Sequence, residues 1–107
     1  MVNNGHDYFK NDRYITRGVH ESVPSYLIEM MWGIIDQLPF EIIDNYQFFN
    51  LSCIGADGVY VQVIEHHQDE PHECFPIMYI PADKTWSGTV YVIDNGEASV
   101  MCLPEER

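Results

Sequence analysis

The chain has 107 residues and carries 17 Asp and Glu against 5 Lys and Arg, a formal charge of −12. That length holds one domain, and 46% hydrophobic residues supply a core, which excludes disorder throughout. Between Gly18 and Asp83 stand eleven acids and no Lys or Arg, a surface that repels phosphate and anionic lipid and so argues against direct nucleic-acid or membrane binding.

The polar start, residues 1–12, reads as a flexible lead-in to a single α+β domain over 13–107. It has no apolar stretch of the secretory kind. Cys53, Cys74 and Cys102 are widely spaced and odd in number. Reduced thiols and a cytoplasmic home are the simplest expectation. Arg13 to Val19 alternates charged and β-favouring residues and predicts a short strand.

A helix is predicted over 23–38. Ser22 offers a cap and Pro24 sits in the first turn. Leu27, Met30, Met31, Ile34, Ile35 and Leu38 then recur at spacings of three and four, and Pro39 ends the run. Glu29 and Asp36 fall on the opposite side, with Trp32 at the edge of the apolar arc.

After Asn45 the pattern is that of strands. Phe49, Leu51 and Cys53 alternate with polar residues, Gly55 to Gly58 turns, and Val59, Val61 and Val63 form an apolar set. That hairpin is expected to turn its valine face to the core, with Leu27, Met31, Ile34 and Leu38 packed on it. Cys74 to Ile80 predicts a third strand, at an edge or bulge because of Pro76. Thr89 to Asp94 and Glu97 to Leu103 flank Asn95-Gly96 and predict a hairpin with a type I′ turn. The expected fold is α+β: one mainly antiparallel sheet of five to six strands, in the order β-α-ββ-β-ββ, with a single amphipathic helix across it.

Arg13-Tyr-Ile-Thr-Arg-Gly-Val19 ahead of the helix with Trp32, then His66-His67 followed by acids and a proline, then Tyr91-Val-Ile-Asp-Asn-Gly96, form a set. The set resembles the domain-of-unknown-function family numbered 960, small cytosolic proteins of low-GC Gram-positive bacteria, their phages and mobile elements. The resemblance covers residues 13–106. It implies a compact α+β domain and a bacterial cytosol, and it carries no catalytic residue across.

Glu65-His66-His67-Gln68-Asp69-Glu70-Pro71-His72-Glu73-Cys74 holds the common metal-ligand types within ten residues. No recognised ligand spacing is present, and strand alternation would send His66 and His67 to opposite faces. Bound metal is therefore not expected. The alternative is a metal-dependent enzyme or metal-binding protein using His66, His67 and His72. Cys74 beside His72 suggests a nucleophile, but a buried inert thiol is the simpler reading. Nothing specifies an enzyme or a cofactor.

The acidity has two readings. One is solubility alone. The other is recognition of a basic protein by a non-enzymatic binding module, in its sharper form a DNA mimic that inhibits a nucleic-acid enzyme. For that reading Trp32 between Glu29 and Asp36 is the expected anchor, with Asp94 and Glu97 at a solvated hairpin tip as further acidic partner residues.

Overall fold

In the computed structural model, residues 8–38, 43–69 and 72–107 are described. Among them seven strands and two α-helices follow in the order β1 (Asp12–Ile15), α1 (Arg17–Ser22), α2 (Ser25–Asp36), β2 (Tyr46–Ala56), β3 (Val59–Asp69), β4 (His72–Cys74), β5 (Met78–Pro81), β6 (Gly88–Asp94) and β7 (Ala98–Cys102). The strands form one sheet ordered β1-β7-β6-β2-β3-β4, with β5 also pairing β3. Of these pairs only β1–β7 is parallel. This is the expected α+β architecture with one main helix, α2.

The first strand is shorter than expected. It starts at Asp12, inside the stretch read as lead-in, and stops at Ile15. Thr16 then caps a short helix instead of continuing the strand: its Oγ1 accepts a bond from Val19 N–H at 3.4 Å. Within the lead-in, Phe9 is buried against the core. α2 begins two residues later than predicted, with Pro24 rather than Ser22 at its N-cap. Its last turn tightens, as Gln37 and Leu38 N–H donate to Ile34 and Ile35 carbonyls at 3.1 and 3.2 Å. Pro39, the expected stop, lies outside the described residues.

The turns exchange roles. Asp57 and Gly58 both have positive φ, 56° and 79°, and join Ala56 directly to its partner Val59. That is the two-residue turn favouring Asp-Gly. At Asn95-Gly96 only Gly96 has positive φ. The connection there spans three residues, and Asn95 Oδ1 accepts from Glu97 and Ala98 N–H at 2.9 and 3.0 Å. The expected strand from Cys74 to Ile80 is broken in two around Pro76, which has no N–H for the ladder.

The core face of the sheet also differs. α2 packs Leu27, Met31 and Ile35 on a face bearing Phe49, Leu51, Ile64, Val90, Val92 and Met101. Ile34 is only half-buried. On β3 that face carries Gln62, Ile64, His66 and Gln68, all buried. The valines point the other way. Val59 is 60% exposed, and only Val63 of the three is buried. The reversal is possible because the buried amides are hydrogen-bonded. Gln62 Nε2 donates to the Ser52 and Trp86 carbonyls, each at 2.9 Å, and its Oε1 accepts from Trp86 N–H at 2.8 Å.

Candidate functional site

The residues expected on the helix face are placed as follows. Glu29 is exposed, and Trp32 is partly buried against the core. Arg13 from β1 lies over the indole with its guanidinium carbon 4.8 Å from the ring centroid. The same guanidinium donates to Asp36 at 2.5 and 3.4 Å. That hydrogen bond holds the Asp36 carboxyl below the usual carboxylate range. Trp32 and Asp36 are thus engaged within the fold, and the expected tryptophan between two displayed carboxylates reduces to Glu29.

Asp94 departs from the expected solvated tip. It is 4% exposed. Its carboxylate accepts from Phe9 N–H at 2.7 Å, Gly96 N–H at 2.8 Å and Asn11 Nδ2 at 3.1 Å. Burial of a carboxylate requires such donors, so Asp94 ties residues 9–11 to the β6–β7 turn. Glu97 remains exposed.

The three histidines are not brought together. His66 is buried on the core side, and His67 lies on the other face against Phe48, ring centroids 5.0 Å apart. His72 is exposed, with Cys74 Sγ 3.7 Å from its Nε2. Cys74 is exposed and not buried as expected. Among the described residues no group of three or more His, Cys, Asp and Glu side chains is placed to hold a metal ion.

What sequence reasoning missed is the helix-free face of the sheet. The strand register puts Tyr14, Tyr46, Phe48, Ile54, Val59, Val61, Tyr79 and Tyr91 there. Tyr14, Ile54, Val59 and Tyr79 are each more than half exposed. Tyr46, Phe48 and Tyr91 form a ring cluster with centroids 5.2–5.6 Å apart. Arg107 covers one end of it, 4.7 Å from the Tyr91 ring and 5.3 Å from the Tyr46 ring. The acids at register positions on this face are Asp12, Glu65 and Asp69, and the described strands place no Lys or Arg there. Asp44, Asp69, Tyr46, Phe48 and Arg107 line a cleft of about 370 Å³ at that end. The signal was present in β2, where Phe48 and Ile54 are apolar at positions that alternate with the core-facing Phe49 and Leu51.

A second cavity of about 370 Å³ lies on the core side, between the end of α2 and β3–β5. Ile34, Gln37, Leu38, Ile64, His66, Phe75, Pro76 and Met78 line it. The His66 ring is stacked between Phe49 and Phe75, centroids 4.5 and 4.4 Å away. Burial pushes its imidazole down to about 4, with the neighbouring His67 charge as a lesser cause.

No helix among the described residues is long and apolar enough to cross a membrane. Residues 12–106 match the family described as "Staphylococcal protein of unknown function (DUF960)", and the chain belongs to that family. Among curated proteins nothing matches it. It is similar in fold to a crystal structure of a protein of unknown function from Enterococcus faecalis, with a TM-score of 0.64 at 24% identity over 95% of each chain.

Proposed function

We propose that this member of the DUF960 family is a non-enzymatic binding module that receives a basic protein on the helix-free face of its sheet. The carrying observation is the exposure of Tyr14, Ile54, Val59 and Tyr79 on one surface, each between 54% and 60%. Exposed apolar and aromatic side chains on one surface mark a protein contact site, and tyrosines contribute much of the binding energy there. The chemistry of the partner follows from charge. Asp12, Glu65 and Asp69 stand on that face in a chain with a net charge of −12. Opposite charge speeds encounter and selects against acidic partners. In its sharper form the partner is a nucleic-acid-binding enzyme whose basic groove the protein occupies in place of DNA, and the cytoplasm is where the two would meet.

Capture from a staphylococcal lysate at low salt, with stepped salt elution, tests the reading. The wild-type protein should retain a basic protein that leaves as salt rises. Ile54→Ser with Tyr79→Ser should lose it, while Glu29→Lys on the helix side should keep it. Retention of the same proteins by the face variant would overturn the assignment. So would a dimer in gel filtration that the face variant abolishes, because a second copy would then be the occupant.

A further inference from the structure

The cavity between α2 and the sheet has one feature that packing does not explain. His66 Nδ1 is buried and has no hydrogen-bond partner among the described residues, in a residue only 3% exposed. Its protonation state can be traced from the backbone outward. Asp44 N–H donates to Gln68 Oε1 at 3.1 Å, so oxygen is the Gln68 atom at that position. Gln47 Nε2 donates to that same oxygen at 2.6 Å and to the Asp44 carbonyl at 2.8 Å. The other amide atom of Gln47 is therefore its oxygen, which faces His66 Nε2 at 2.7 Å. A carbonyl oxygen only accepts, so Nε2 carries the proton and Nδ1 presents a bare lone pair.

Phe49 and Phe75 cover both ring faces and Gln47 takes Nε2. Of the two ring nitrogens only Nδ1 is left free, in a residue that lines the cavity. We propose that this cavity binds a small apolar molecule bearing one neutral hydrogen-bond donor, a hydroxyl or an aromatic N–H, which His66 Nδ1 accepts. Its volume of about 370 Å³ suits a ligand of that class. Among the described residues the wall is otherwise largely Ile34, Leu38, Ile64, Phe75 and Met78, with no charged side chain to balance an ionic ligand. A metal ion would need three or four donors, where this wall offers one imidazole. Burial keeps that imidazole neutral and hence an acceptor. Nδ1 is itself buried, so a ligand's donor reaches it only when a wall side chain shifts, and unbranched Met78 is the adaptable one.

Indole and benzofuran are near-isosteres that differ in the N–H donor, and they serve as probes. Titrations of the full chain are read on the His66 ring nitrogens by long-range proton–nitrogen NMR. Indole should bind, shift Nδ1 away from its bare-acceptor position and leave Nε2 protonated. Benzofuran should bind about tenfold more weakly, the worth of one neutral hydrogen bond. His66→Phe should bring the two affinities together. Met78→Trp should block both probes while leaving the His66–Gln47 bond in place, which keeps the test open should His66→Phe fail to fold. Equal affinities in the wild type, no binding of indole, an unmoved Nδ1, or a free-state spectrum with the proton on Nδ1 would each overturn the inference.

Discussion

Exchanging Ile64 and Val59 for alanine, one at a time, tests which face of β3 belongs to the core. Ile64 is 1% exposed and Val59 60%. Ile64→Ala removes three carbons, about 2.4 kcal/mol of transfer free energy at about 0.8 kcal/mol per buried methylene. Unrelaxed space of about 40 Å³ would add about 1 kcal/mol at roughly 24 cal/mol per Å³. Ile64 already borders a cavity, so it has fewer contacts to lose and a total of about 3 kcal/mol is expected. Val59→Ala removes two carbons from a side chain mostly in water, and should cost less than about 0.7 kcal/mol. Urea unfolding resolves that gap as a shift in midpoint at constant slope. Equal costs, or a larger loss at Val59, would mean that α2 lies on the valine face and that β3 is shifted by one residue in its pairing.

Asp94→Ala should destabilise by about 2–4 kcal/mol in the same assay, because it leaves the buried Phe9 N–H and its fellow donors without their acceptor. His66 makes stability pH-dependent. Its native value of about 4 lies below the unfolded 6.5, so the unfolded chain binds the proton first. Stability should be complete above pH 6.5 and fall by about 3 kcal/mol down to pH 4, and the His66 ring resonances should not titrate between pH 7 and 5. Asp36 acts in the same direction at lower pH: its lowered value favours the folded state above the unfolded carboxylate range, and that contribution is lost as pH falls through the folded value. Arg13→Ala should return the Asp36 titration toward the ordinary range and cost about 1–2 kcal/mol, because it also removes the guanidinium from over Trp32 and from the Phe9 carbonyl.

The helix was legible because its stripe is made of Leu, Met and Ile at the helical period, and nothing polar interrupts it. The strand β3 was legible as a strand and illegible in phase. Its core-facing set, Gln62, Ile64, His66 and Gln68, reads as mostly polar, and its outward set, Val59, Val61 and Val63, reads as core. Burial pattern follows composition only while polar groups stay outside. Here hydrogen bonds with Ser52 and Trp86 satisfy the buried Gln62 amide, and Asp44 and Gln47 donate to that of Gln68; those partners lie 10 or more residues away for Gln62 and 21 or more for Gln68. The engagement of Trp32 and Asp36 within the fold is hidden from the sequence for a related reason. Arg13 is 23 residues from Asp36, and only the packing of β1 beside α2 brings its guanidinium over Trp32. The local pattern puts Asp94 at a solvated tip because it cannot show the 85-residue span to Phe9 N–H.

Exposed β-structure offers a partner either an edge or a face, and in this fold the edges are poor templates. One edge is β1, four residues long and paired in parallel to β7. The other side of β3 is shared by two short strands, β4 and β5, interrupted around Pro76 and closed by Pro81. Short, broken edge strands with proline discourage strand addition. The face is the converse. β2 and β3 each run eleven residues and pair along almost their whole length, so their side chains stand in fixed rows. Ile54 and Val59 in those rows, with Tyr79 paired beside them on β5, lose little entropy on contact, unlike residues on a loop. A partner that used the edge would bind through main-chain bonds and tolerate Tyr79→Ser. One that used the face would not, and that difference separates the two modes of recognition whatever the partner is.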